Sequence, residues 1–159
     1  MMEINSHQNF TYDKLVVFFK HTDYQGFVHP YNYLEWMSYT REAFFQELVP
    51  NFLELCDRDI KMVTASVEFE SAGDAIFGDR ITVKIYSERV KRLSFDVVFI
   101  FSCEERKTTL GTGRMRLTFL DAATGRPTQI PTELKEAVLR FERRVKSSEE
   151  DTVQNNESN

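Results

Sequence analysis

The chain has 159 residues, 42% of them hydrophobic, with 14 phenylalanines and a formal net charge of −5. That length suits one domain, which buries roughly 68–70% of its unfolded surface and folds without staples. The acidic balance argues against a dedicated nucleic-acid surface, which needs clustered Lys and Arg, and the two cysteines, Cys56 and Cys103, lack the CxxC or Cys/His spacing of a zinc site.

Residues 1–9 are polar and read as a flexible N-terminus. Thr11 to Lys20, TYDKLVVFFK, is rich in β-branched and aromatic residues and reads as a strand. Residues 21–31 carry Gly26 and Pro30 and read as a loop. Asn32 has the chemistry of a helix N-cap, with Glu35 three residues on as a capping-box partner. Tyr33, Trp36, Met37, Thr40, Ala43, Phe44 and Leu48 then recur at helical spacing, and Leu34 and Phe45 widen the apolar face. Pro50 marks the end of that helix.

A short irregular piece leads to four strands in succession, Ile60–Glu70, Arg80–Arg89, Leu93–Cys103 and Thr108–Leu120. In the first, Met62, Thr64, Ser66, Glu68 and Glu70 alternate with Val63, Ala65, Val67 and Phe69. In the second, Ile81, Val83 and Ile85 alternate with Thr82, Lys84 and Tyr86, so both strands have two distinct faces. The breaks VKR and EERK are short enough for antiparallel hairpins. DAATGRP turns the chain, and Pro131 opens a final helix to about Arg144 with Leu134, Val138 and Phe141 on one face. The domain therefore spans 10–145, and 146–159 form a polar tail expected to be disordered. One apolar helix after the first strand of an antiparallel sheet predicts an α+β fold with about five strands wrapped around that helix.

Several chemistries have no support. G-x-S-x-G is missing, no His stands near either cysteine in sequence, and the G-T-G at 111–113 lies inside a strand and not in a phosphate loop. No stretch reaches the roughly 20 apolar residues that span a bilayer. With no visible leader and two thiols, a cytoplasmic location is expected. There remains HTDYQGFVHPYNYLEW, residues 21–36, where a loop carries Asp23 toward a helix N-terminus. Helix N-terminal amides stabilise negative charge and can polarise a carbonyl as it becomes an oxyanion. A carboxylate beside it can attack that carbonyl or activate water, which suits acyl transfer to water. The plain alternative is a loop Asp acting as a helix cap, the commoner role of such a residue.

The pattern D-x-x-G-x-V-x-x-x-N-Y-L-x-W, read as Asp23, Gly26, Val28, Asn32, Tyr33, Leu34 and Trp36, resembles the signature of hotdog-fold acyl thioesterases of the 4-hydroxybenzoyl-CoA thioesterase-like group. The order of elements from Phe10 to Phe119 fits, Phe77-Gly78-Asp79-Arg80-Ile81 is similar to the family's Gly-Asp turn, and Arg41-Glu42 falls where many relatives carry Arg-Glu on the central helix. Strand lengths and order also resemble thioesterases of enediyne polyketide pathways, which typically carry Asn in place of Asp23. The resemblance implies that Asp23 is nucleophile or general base toward a thioester. Pro30, seven residues after Asp23, is a departure: relatives usually offer an N–H there and proline has none. With an ungapped match the oxyanion donor then comes from elsewhere, and the candidates are the Tyr31 amide, the His29 side chain and Arg41.

The resemblance thus implies a thioester hydrolase acting on acyl-CoA or an acyl-carrier protein, with no cofactor beyond the CoA or phosphopantetheine of the substrate and no metal. It implies a homodimer or homotetramer with sites at the subunit interface, and no nucleic-acid or membrane partner. The expected catalytic residues are Asp23, His29 and Arg41; the expected substrate-binding residues are Gly26, Tyr31, Asn32 and Tyr33, with Arg89, Lys91 and Arg92 placed to meet phosphates. Gly26 equally serves a tight turn, Tyr33 and Trp36 equally serve the core, and Arg41 has the carboxylates Glu42, Glu35 and Asp23 as further candidate partners. The basic cluster equally suits a solvated hairpin. Two other readings stay open: a hotdog hydratase or dehydratase, and a non-catalytic acyl-binding module.

Overall fold

A computed structural model describes residues 9–56 and 59–143. The order is β1 (Phe10–Val16), a 3₁₀ turn (Phe19–His21), α1 (Pro30–Leu48), α2 (Phe52–Cys56), β2 (Ile60–Ser71), β3 (Arg80–Glu88), β4 (Ser94–Cys103), β5 (Thr108–Asp121) and α3 (Thr132–Leu139). The strands form one sheet of five in the order β1-β3-β4-β5-β2, with every neighbouring pair antiparallel. The expected α+β arrangement is present. The polar tail expected at 146–159 lies outside the described residues, as does most of the expected flexible N-terminus.

The sheet holds α1 against one face because alternate residues of its strands are large and apolar. Phe95, Val97, Phe99 and Phe101 of β4 are all buried, as are Met37, Phe44 and Phe45 of α1. Phe45 meets Phe95 with ring centroids 6.1 Å apart, and Tyr33 meets Phe101 at 5.2 Å, both edge-on, as aromatic quadrupoles prefer. Truncating one such phenylalanine to alanine costs about 3–5 kcal/mol. The helix can lie this close because β5 supplies Gly113. A methyl group there would stand 2.5 Å from the Met37 sulfur. The G-T-G of residues 111–113 is thus a packing feature.

Three expectations from sequence need correction. The first strand stops at Val16, because Val17 donates to the Asp79 carbonyl and the Phe18 amide donates to His21 Nδ1, which bends the chain into the 3₁₀ turn. Asn32 is not the helix N-cap. α1 begins at Pro30, a favoured first helical residue, and His29 is the cap, its Nδ1 accepting from the Tyr31 amide. Leu34 is 41% exposed, so the buried stripe of α1 is narrower than its apolar residues suggest.

Two further differences are smaller. The segment after Pro50 includes the short helix α2. α3 ends at Leu139, where the next residues run beside the end of β3. The Ser87 amide donates to Phe141 O, the Arg143 amide donates to Ser87 O, and Ser87 Oγ donates to Val138 O.

The alternation in β2 also changes phase. A bulge falls between Thr64 and Ser66, so Met62 and Thr64 face the helix side opposite Phe119 and Leu117, and beyond the bulge Val67 and Phe69 do so, opposite Met115 and Gly113. β2 is the long edge of the sheet, and its inward residues Thr64 and Val67 are exposed, beside exposed Leu34 of α1.

Candidate active site

The segment from Val17 to His29 is tied to itself and to the loop before β3. Thr22 and Val28 form an antiparallel bridge, the Asp23 amide donates to Phe27 O at 2.8 Å, and the Gly26 amide donates to Asp23 O at 3.0 Å. Gly26 has φ +86°, where a side chain costs about 1–2 kcal/mol of strain. This turn holds the Asp23 side chain in one place. Its Oδ1 accepts from the Gln25 amide at 2.8 Å and the Phe27 amide at 3.2 Å. Among the described residues both bonds fall on Oδ1 and neither engages Oδ2. The residue is half-buried.

Behind the turn, the His21 carbonyl anchors the start of α1. It accepts from the His29 amide at 2.9 Å and from Asn32 Nδ2 at 2.8 Å, and Asn32 Nδ2 also lies 3.1 Å from His29 O. Asn32 is 2% exposed, so it braces the loop against the helix from inside. His21 is itself buried, and the proton on its neutral ring sits on Nε2 because Nδ1 accepts from Phe18. Burial first, then the charge of Lys20, lowers its pKa below 6.5, while Glu35 opposes.

At the exposed end of the helix the amides are sparse. Pro30 has none, and the Tyr31 amide makes only a long 3.4 Å bond to His29 Nδ1. The two side chains pack with ring centroids 4.5 Å apart. Tyr33 is buried and stacks on Phe69 at 4.3 Å; burial pushes its phenol up to about 12.

A second loop carries the first. Phe27 bridges to Ile76 and the Val28 amide donates to Ala75 O. That second loop is in turn fixed by Asp79, which sequence reasoning placed only in a Gly-Asp turn. Asp79 Oδ2 accepts from the Ile76 amide at 2.9 Å, and Arg106, from the β4–β5 hairpin, binds both oxygens at 3.0 and 2.5 Å while also donating to Asp74 O. Burial alone would raise the Asp79 carboxyl, but Arg106 and the Ile76 amide together hold it below its ordinary 3.8. Nothing local in EERK marks Arg106 for this role. On the outside of the same loop Phe77 stacks on Phe19 with centroids 3.9 Å apart, and the pair is largely exposed.

The remaining candidates stand elsewhere in the protomer. Arg41 is eleven residues into α1 from Pro30, about 16 Å along the helix axis. Its guanidinium donates to Thr64 Oγ1 at 3.0 Å and approaches the Met115 sulfur at 3.8 Å. Arg89, Lys91 and Arg92 follow the far end of β3, roughly 27 Å along the strand from the Asp79 turn. Arg89 is engaged with Asp96, a carboxylate 2% exposed that also takes a two-point contact from Arg116 at 2.9 and 3.2 Å. Lys91 and Arg92 are exposed. Thus the structure gathers Asp23, Gly26, His29, Tyr31, Asn32 and Tyr33 at one end and leaves Arg41 and the basic hairpin away from them within one chain. Among the described residues no group of three His, Cys, Asp or Glu side chains could hold a metal, and no helix is long and apolar enough to cross a membrane.

Residues 17–138 match a family described as the thioesterase-like superfamily. Among solved structures the fold is similar to the dynemicin thioesterase, studied with polyene bound (22% identity, 86% of this chain and 99% of that chain, TM-score 0.79). It is also similar to a 1,4-dihydroxy-2-naphthoyl-CoA thioesterase from Synechocystis (17%, 83% and 96%, 0.73) and to a thioesterase complexed with coenzyme A and Zn from Thermus thermophilus (21%, 82% and 92%, 0.68). At these identities the likeness is one of fold. No curated protein matches the chain.

Proposed function

The chain belongs to the thioesterase-like superfamily and is a thioester hydrolase of that family, and we propose that it cleaves acyl thioesters with Asp23 as nucleophile or general base. The observation that supports this role is the one-sided fixing of the carboxylate: Oδ1 is held by the Gln25 and Phe27 amides, and neither of these bonds engages Oδ2. In one route Oδ2 attacks the thioester carbonyl, the thiolate leaves, and water hydrolyses the acyl-Asp23 anhydride. In the other, Oδ2 takes a proton from the attacking water. In both, negative charge develops on the carbonyl oxygen. The Tyr31 amide supports that charge best, since its own bond to His29 is long and easily surrendered. His29 sets the ring and amide of Tyr31 in place.

The reading includes a dimer formed along β2. That strand has 12 residues, stands at the sheet edge, and leaves Thr64, Val67 and Leu34 exposed in a seam beside α1. A long unpaired edge is a template for a second strand. Antiparallel pairing of two β2 edges sets the two α1 helices in opposite directions, so that Arg41 of one copy approaches the Asp23 loop of the other. Arg41 then supports the substrate or the developing oxyanion across the interface.

The thiol carrier in this reading is coenzyme A, consistent with the bound CoA in the Thermus thermophilus relative. Thiol release from a panel of acyl-CoAs and acyl-carrier thioesters tests the activity, and a panel with no hydrolysis at all would sink it. Mixing Asp23→Asn with Arg41→Ala protein tests the shared site: refolded mixtures should regain activity that neither variant has alone, and failure to do so would discard the cross-subunit arrangement.

A further inference from the structure

Between β1 and α1 lies a groove of about 360 Å³ that the proposed reaction does not use. Its floor is aromatic. Trp36 lies beneath it, His21 meets Trp36 edge-on at 5.2 Å, and Tyr12 meets Tyr39 edge-on at 5.6 Å. Its walls carry Lys14 and Lys20 against Glu35, an excess of one positive charge in a chain whose net charge is −5. Neither lysine is in an ion pair among the described residues. The neighbouring depression past Lys14 is lined by Asp13 and Glu47 and would repel an anion, so the favourable end of the groove is the Lys20 end. Lys20 and His21 are three and two residues before Asp23 in the chain, and the His21 carbonyl is the anchor of the Asp23 loop.

An aromatic floor with cations at one rim fits a flat heterocycle bearing phosphates, and the volume lies in the range of small-ligand clefts. We propose that this groove receives the adenosine 3′,5′-bisphosphate end of coenzyme A, with the phosphates at Lys14 and Lys20 and the adenine over Trp36 and Tyr39. The pantetheine arm then runs past His21 to place the thioester at Asp23. The role of the groove as a substrate subsite rests on the thioesterase reading above. It also assigns the phosphates to a different place from the Arg89–Arg92 hairpin, where Arg89 is already held by Asp96. A carrier-protein phosphopantetheine has no adenine and no 3′-phosphate, so this groove selects free CoA over a carrier protein.

Trp36 is the only tryptophan in the chain and reports on the groove directly. Titrating the full chain with adenosine 3′,5′-bisphosphate should give a saturable change in its emission. Lys14→Ala combined with Lys20→Ala should raise the apparent Kd about tenfold, and added salt should weaken binding in the wild type more than in that variant. In turnover, the double substitution should lower about tenfold the preference in kcat/KM for an acyl-CoA over the same acyl group on N-acetylcysteamine. No saturable response in the wild type would overturn the proposal. So would a preference for acyl-CoA that survives the double substitution, or better turnover of carrier-protein thioesters than of acyl-CoA. If the wild type hydrolyses neither thioester, the thioesterase reading falls, while the fluorescence titration still decides whether the groove binds the nucleotide.

Discussion

Asp23 and Asp79 sit in adjoining loops and are solved in opposite ways. Asp79 is buried, and both its oxygens are taken, by Arg106 and by the Ile76 amide. Asp23 is half-buried, and its two bonds both come from its own turn and both fall on Oδ1. A buried carboxylate with both oxygens engaged has little to offer a substrate; it joins pieces of chain. One held by a single oxygen is positioned without being consumed, which is the condition a nucleophile or base must meet. The two are also coupled, since the loop fixed by Asp79 carries the Asp23 turn through the Phe27–Ile76 bridge and the Val28–Ala75 bond.

The sharpest way to break this contrast is to neutralise each aspartate. Asp23→Asn should lower kcat by roughly 10²–10⁴-fold while the melting temperature hardly moves. Wild-type kcat in that variant, measured by thiol release, would return Asp23 to the status of a turn residue. Asp79→Asn should do the reverse first: it strands part of Arg106 beside a neutral partner and should cost about 3 kcal/mol of stability in denaturant titration.

The Asp79 contribution has a defined pH window. Its folded pKa lies below the ordinary 3.8, so the stabilisation is present above that value and is lost as pH falls through the folded pKa. The stability gap between wild type and Asp79→Asn should therefore be constant near neutral pH and close below about pH 4. A gap that persists unchanged at lower pH would show that charge pairing is not its source. Gly26→Ala should cost about 1–2 kcal/mol through φ strain, with space for the methyl group itself, and should reduce kcat by displacing Asp23. The smallest effect expected is that of His29→Ala, about 0.5–1 kcal/mol for the lost cap. A large effect of His29→Ala on kcat with little on stability would move His29 from positioning Tyr31 to touching the substrate.

Legibility in the sequence followed how local each determinant is. β3, β4 and β5 agree with their readings to within one residue at each end, because alternation and short polar breaks act over a few residues. The start of α1 was read three residues late. Asn32 has the chemistry of a cap, but its amide group is drawn to the His21 carbonyl eleven residues back, which leaves His29 to cap the helix. The family pattern around Asp23 located the candidate carboxylate, yet nothing in it revealed that Arg41 would lie against Thr64 of β2, twenty-three residues on.

The sequence by itself determined the five strands, the central and final helices, the antiparallel hairpins and the glycine on which the Asp23 turn depends, since each follows from side-chain periodicity or from φ preferences of single residues. Only the tertiary structure decided which aspartate is spent and which is kept available. The Arg106–Asp79 pair spans 27 positions, the bulge between Thr64 and Ser66 switches the helix-facing residues of β2 from even to odd positions, and the groove joins Lys14 and Lys20 to Trp36 of another element. Each of these depends on two segments meeting at one register, and the energy that selects that register resides in the pair.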